Sequence, residues 1–198
     1  THPFDVGHQL YTEAIIRSMK KMEILGRPGP YALPAPLRAD NFEYVSPVPV
    51  SKATLSAGWK KLDSATDPLV AKFGEKLPEL WMAERPGESI TIRFKGTSLL
   101  LYDIMGPDAP QLLVTMDEDE PEIVSRFNPW SDNYHVYYIR VATGLPDTEH
   151  IAHLEILAEQ PDRAGILAER GVVMDDPSRF DGTRWYVGDL LVTGEVLE

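Results

Sequence analysis

Residues 88–117 read ESITIRFKGTSLLLYDIMGPDAPQLLVTMD, and the rest of the chain is best read outward from them. Ile90, Ile92 and Phe94 alternate with Thr91, Arg93 and Lys95. That period of two puts apolar side chains on one face of a strand and polar ones on the other. Gly96 and Thr97 predict a tight turn. Leu99, Leu100, Leu101 and Tyr102 then form a near-continuous apolar run, as expected of a strand covered on both faces. Gly106, Pro107 and Asp108 predict a second turn, and Leu112, Val114 and Met116 mark a third strand. Strands joined by short turns predict antiparallel hairpins and the core of an all-β domain.

The pattern continues on both sides. Residues 54–62 carry Trp59, and 80–84 carry Trp81 ahead of a turn at Arg85, Pro86 and Gly87. Further strands are predicted over 120–127, 134–142, 149–158 and 185–194, with a turn at 144–147. Residues 163–170 suit a short helix or an irregular insertion. Eight or nine short strands with Pro, Gly and Asp between them predict an antiparallel two-sheet β-sandwich of jelly-roll type. Trp59, Trp81 and Trp185 fall inside strand patterns and read as core.

Residues 4–23 are different. Leu10, Ala14, Ile15, Met19 and Met22 make an apolar stripe at helical spacing. Asp5 is placed to cap the helix, Arg17, Lys20 and Lys21 favour its negative end, and Gly26 and Pro28 stop it. The stripe requires cover from the sandwich, a further domain or a second copy. The segment 26–50 reads as a proline-rich connector, with Tyr31, Leu33 and Phe42 suiting it to lie on a surface. Residues 1–37 hold four basic and three acidic side chains, so the remaining 15 basic and 28 acidic ones fall in 38–198. The expected organisation is therefore a helical segment over 1–25, a connector over 26–50 and a β-sandwich over 51–198.

A formal charge of −12 disfavours nucleic acid and anionic membranes as partners, since both select basic patches. There is no cysteine, hence no disulfide framework or thiolate metal site. No apolar run is long enough to span a membrane as a helix, and the opening residues lack the basic and apolar regions of a signal peptide.

Three groups of residues could carry chemistry. His2 stands before Pro3, which keeps it out of a helix and in a loop at the helix start; there a histidine is positioned for proton transfer. The run Asp117, Glu118, Asp119, Glu120 and Glu122 offers hard oxygen ligands to calcium, but it lacks the spacing of a helix–loop–helix calcium loop and Pro121 interrupts it, so it reads as a solvated turn. His150 and His153 read as surface residues, with no third metal ligand evident. No cofactor or metal is expected. The third group is aromatic. Asn128, Pro129, Trp130, Ser131, Asp132 and Asn133 form a loop by composition, flanked by Phe127, Tyr134, His135 and Tyr137. A tryptophan ring covers a pyranose face and neighbouring amides and carboxylates bond its hydroxyls. Trp130, Tyr134, Asn128, Asp132 and Asn133 are thus candidate ligand-binding residues. The alternative is that Trp130 and Phe127 simply pack beneath the loop.

The string His2-Pro3, then Gly7-His8 and a helix with Leu10 and Tyr11, resembles the last conserved block of the SGNH (GDSL-type) hydrolases. The resemblance implies that His2 is the general base of a Ser-His-Asp triad. The triad Asp, the Gly-Asp-Ser block with the nucleophile, and the Gly and Asn of the oxyanion hole have no match in this sequence. Ser18, Ser89, Ser98, Ser125 and Ser131 lack the setting of a nucleophile, so the chain alone is expected to be inactive. Residues 50–195 resemble the β-sandwich appended to some esterases of this family, carbohydrate esterases among them. The resemblance rests on the order of Trp59, Leu77-Pro78-Glu79-Leu80, Pro86-Gly87, Phe94-Lys95-Gly96-Thr97, Leu101-Tyr102 and His153-Leu154-Glu155-Ile156. Glu118 departs from it, where many such domains have glycine. It implies the C-terminal part of a serine esterase, acting on an ester such as a carbohydrate acyl ester and periplasmic or secreted, whose partner is the upstream catalytic domain or a second copy. The fragment would then bind carbohydrate. The competing expectations are a structural sandwich that buttresses the hydrolase without touching glycan, and an autonomous lectin-like protein.

Overall fold

The computed structural model describes residues 3–27, 29–30, 32–37 and 41–197. His2 lies outside these residues, as do Pro28 and Tyr31 of the connector. The chain forms two compact units, Thr1–Leu37 and Arg38–Glu198.

In the first unit, helix α1 spans Asp5–Leu25. Phe4 rather than Asp5 occupies the capping position, and no side chain caps the helix; Asp5 is its first residue, where its charge still favours the positive end of the dipole. Gly26 ends α1 in extended backbone, its N–H bonded to the Met22 carbonyl. No residue of α1 is buried, and Leu10, Ile15, Met19 and Met22 stand about 60% exposed.

The second unit is mainly β. Its strands are β1 (Ser46–Pro49), β2 (Thr54–Leu55), β3 (Lys60–Lys61), β4 (Trp81–Ala83), β5 (Ser89–Met105), β6 (Gln111–Met116), β7 (Glu122–Ser125), β8 (His135–Ile156) and β9 (Trp185–Leu197). All pair antiparallel in the order β3-β4-β9-β5-β8-β6-β7, with β1 added to β9 and β2 to β5. The expected jelly-roll-like sandwich is present, but its strands are longer than their local signals suggest. Gly96 and Thr97 do not turn the chain; β5 runs through them. Its halves pair not with each other but with β8 along the whole length and with β9 from Arg93 to Ile104. Nor is β6 the hairpin partner of β5, because β8 lies between them. The turn at 144–147 survives only as a bulge in β8, where Gly96 pairs with Thr148 and Ser98 with Thr143.

The bend in β5 has a specific cause. Gly96 and Gly194 face one another across the β5–β9 ladder, both at positive φ (156° and 141°). A Cβ on Gly96 would lie 2.1 Å from the Thr193 carbonyl oxygen, and one on Gly194 would lie 2.0 Å from that of Lys95. Only glycine permits this approach. With the bend, Ile90, Ile92 and Phe94 from the first half of β5 and Leu99 and Leu101 from the second enter one core. That core also holds Leu112, Ile139, Leu154, Trp185 and Leu190. Trp59 and Trp185 meet edge to face at 5.3 Å in it, and Trp81 packs against it partly buried.

The continuous apolar run of β5 is covered on both faces, as its composition predicts. On its outer side Tyr102 and Ile104 pack with a helix that the sequence reading missed, α2 (Pro68–Phe73). Asp67 caps α2, accepting from the Leu69 and Val70 N–H groups at 2.8 and 3.4 Å. Leu69, Val70 and Phe73 pack with Leu77, Leu80, Ile104 and Tyr186. The insertion between β8 and β9 contains α3 (Arg163–Ala168), capped by Asp162. A third cluster, Phe127, Leu167 and Phe180 with Ile166, Val172 and Met174, fastens that insertion to the end of β7.

Candidate functional site

The loop between β7 and β8 is anchored at its base. Phe127 is buried against Leu167 and Phe180. Beyond it the loop is tied by its own polar groups. Asn128 Oδ1 accepts from the Trp130 N–H at 2.8 Å and from the Ser131 hydroxyl at 3.1 Å, while the Asn128 N–H donates to Ser131 Oγ at 2.9 Å. These bonds turn the chain so that Ser131 points inward and Trp130 outward. Ser131 is fully buried and Trp130 is 60% exposed. Phe127 thus packs beneath the loop, whereas Trp130 does not.

Trp130 forms one wall of a cavity of about 600 Å³ lined also by Asn128, Asp132, Asn133, His135, Tyr137 and Arg170. Four of the five residues expected to act together from the sequence are therefore brought together. The fifth, Tyr134, lies elsewhere: its hydroxyl donates to Asp108 Oδ2 at 3.0 Å, and its ring meets Tyr186 edge to face at 5.9 Å. Tyr134 lines a separate cavity of about 500 Å³ with Arg179, Asp181 and Arg184. Burial and the neighbouring Asp108 charge push its phenol up to about 12, so it remains a neutral donor.

Arg170 was not foreseen, because it comes from the insertion after β8. Its guanidinium sits 5.3 Å from the centre of the Trp130 ring, donates to the Pro129 carbonyl at 2.7 Å and pairs with Asp132 at 3.4 Å. Arg179 reinforces the same loop through the Asp132 carbonyl at 2.8 Å. Opposite, His135 meets Tyr137 edge to face at 6.1 Å, and Tyr137 stacks on Tyr138 at 5.2 Å. The cavity thus combines an exposed indole held by a cation, a second aromatic wall, and a carboxylate and amide at its edge. This chemistry suits a ligand with an apolar face and several hydroxyls.

The other candidates fare differently. Glu118, Asp119, Glu120 and Glu122 are exposed, and among the described residues no group of three or more His, Asp or Glu side chains is placed to hold a metal ion. Asp117 has a structural task instead. It adopts φ of 50°, accepts from the Ile151 N–H at 2.8 Å and bonds His150 Nδ1 at 2.7 Å. His150 is not a surface residue but is buried, because alternation along β8 places it on the same face as Ala152, Leu154 and Ile156. His153 bonds Thr91 Oγ1 at 2.9 Å.

No family model matches the chain, and no curated protein matches it. Solved structures do. A two-domain esterase active on acetylated mannans, crystallised with mannopentaose, matches 100% of this chain over 48% of its own length, with a TM-score of 0.62 and 17% identity. A second structure described as such an esterase gives a TM-score of 0.63 over 98% of this chain and 48% of its own length, again at 17% identity. A family two carbohydrate esterase from Cellvibrio japonicus matches 77% of this chain and 34% of its own at a TM-score of 0.49 and 12% identity. The chain spans about half the length of the two-domain esterases and shares that half's fold.

Proposed function

We propose that this chain is the C-terminal part of an SGNH-type carbohydrate esterase, and that its β-sandwich holds a glycan in the cavity beside Trp130. The observation that carries the reading is the exposed indole of Trp130, held by Arg170 in a cavity with Tyr137, Asp132 and Asn133. The fold shared with two-domain esterases supports it, as does the His2-Pro3, Gly7-His8 string. In the whole enzyme a serine from the catalytic domain would attack the ester while His2 takes the hydroxyl proton. Helix α1 would be the last helix of that domain, its apolar stripe covered by the remainder.

Calorimetric titration with mannopentaose tests the sandwich. The wild type is expected to bind in about the millimolar range, and Trp130→Ala to weaken binding about thirtyfold or more with melting unchanged.

A second reading is a sandwich that only buttresses the hydrolase. The observation favouring it is that Asn128 Oδ1, its N–H and Ser131 are all engaged within the loop, so Asn128 serves the loop's shape. A wild type that binds no oligosaccharide, with a Trp130→Ala variant that melts at a much lower temperature, would favour the buttress.

A further inference from the structure

We infer that the Trp130 platform is gated by the proton on His135: the loop is held in its observed form only while that imidazole is neutral. The consequence for binding rests on the carbohydrate reading above; the gate itself rests on hydrogen bonds. The Trp130 N–H can only donate, so the Asn128 atom facing it at 2.8 Å is the carbonyl oxygen. This fixes the amide, and Asn128 Nδ2 points to Met105 Sδ at 3.1 Å and His135 Nε2 at 3.4 Å. The other nitrogen, His135 Nδ1, faces the Asn133 carbonyl at 2.9 Å. A carbonyl only accepts, so Nδ1 carries the proton and Nε2 offers its lone pair to Asn128.

A second proton on Nε2 would set N–H against N–H. Asn128 cannot answer by turning its amide, because that would release the Trp130 N–H and the Ser131 hydroxyl together. Either the imidazolium swings away and Asn128 loses that contact, or it displaces Asn128 and the Trp130 N–H bonded to Asn128 Oδ1 moves with it.

The charged and titratable groups around the ring come from five places. From the loop there is Asp132, already engaged by Arg170 and by the Asn133 amide at 3.0 Å. From the insertion there is Arg170 itself. On β8 there is Tyr137, edge-on to His135. Behind Tyr137 lies Arg126, 6.0 Å from its ring and paired with Asp103. β5 contributes Asp103, already held by Arg126, and the uncharged Met105. The carboxylate lining the cavity is thus already taken, and none of these bonds supplies an acceptor for a proton on Nε2.

The test follows the nitrogen signals of the His135 ring, the Trp130 backbone amide and the Asn128 side-chain amide by NMR from about pH 8 to about pH 5, the window in which imidazoles change charge. His135→Gln is the control, since its carbonyl accepts from Asn128 but cannot gain a proton. Expected are the Nδ1–H tautomer at high pH, and Trp130 and Asn128 amides that shift as His135 titrates in the wild type but not in the variant. Mannopentaose affinity is expected to fall about tenfold over the same range in the wild type and to stay level in the variant, as for one hydrogen bond lost. An Nε2–H tautomer at high pH, or amides that stay still while His135 titrates, would overturn the gate. A chain that binds no oligosaccharide at either pH removes the sugar reading, and the ring and amide signals then decide the gate alone.

Discussion

Arg126 and Asp103 form a two-pronged ion pair sealed from solvent: Nε donates to one carboxylate oxygen at 2.8 Å and Nη2 to the other at 2.6 Å. Asp103 is fully buried, and the Trp185 indole N–H also donates to it at 3.1 Å. The pair therefore joins the core tryptophan to the arginine that underlies Tyr137 in the candidate site. Removing one partner leaves a buried charge alone. Asp103→Ala is expected to lower stability by about 3–5 kcal/mol in urea unfolding. Replacing both partners with apolar residues of similar volume is expected to cost much less.

Gly96 and Gly194 make a second prediction. Either one changed to alanine brings a Cβ against backbone in a conformation that L-residues avoid. A loss of about 3 kcal/mol or more is expected for each. Gly171, also at positive φ but with open space around its Cβ position, is the control, and alanine there is expected to cost about 1 kcal/mol.

The clip between Asp117 and His150 makes stability depend on pH in a defined direction. Both ring nitrogens face acceptors, the Pro146 carbonyl at 2.9 Å and Asp117 at 2.7 Å. Those bonds, Pro146 first, hold the His150 imidazolium above the usual histidine range. Burial pushes Asp117 up, but the bonds from the Ile151 N–H and His150 outweigh it and hold its carboxyl below the usual range. The His150 contribution is present below the ordinary imidazole value and lost as pH rises through the raised one. The Asp117 contribution is present above the ordinary carboxylate value and lost as pH falls through the lowered one. The clip is complete at about pH 5 to 6. Asp117 is partly exposed, so the effect is small, less than about 1 kcal/mol or a few degrees of melting temperature. Melting curves of the wild type and His150→Gln are expected to differ most in that window and to converge toward high pH.

Helix α1 makes a prediction about association. Its exposed Leu10, Ile15, Met19 and Met22 are expected to draw the isolated chain into concentration-dependent oligomers. Ile15→Lys with Met19→Lys is expected to return the sedimentation coefficient to that of a monomer while leaving the melting of the sandwich unchanged.

Much of the sandwich was legible because alternation reports which face of a strand is buried, as in Ile90, Ile92 and Phe94. Connectivity was less so. A glycine beside a threonine looks alike whether the chain turns back or bends between layers. What decides it at Gly96 is Gly194, a residue distant in sequence. Helix α2 had local signals, Asp67 before Pro68 and Gly74 after the helix, but it is too short for an apolar period to stand out. In the candidate site, Trp130 and its neighbours were legible because they share one loop. Arg170 was not, because the third apolar cluster brings it in from another segment. Tyr134 was misleading by proximity: it adjoins the loop in sequence, yet Asp108 and Tyr186 draw its ring to the other side. His150 was readable in principle, since it falls in phase with Ala152, Leu154 and Ile156.

Strand β5 packs Ile90, Ile92 and Phe94 from one side of its bend and Leu99 and Leu101 from the other into the same core, while β8 and β9 pair with it on both sides of that bend. A sandwich whose layers are made of separate strands can lose one layer before the other. Here, freeing one end of β5 strips hydrogen bonds from the strands that hold its other end. Heat should therefore find no half-melted sandwich to populate. Calorimetry should record a single absorption peak for residues 41–197, with equal calorimetric and van't Hoff enthalpies. Amide exchange on the two sides of the bend should slow to one common rate.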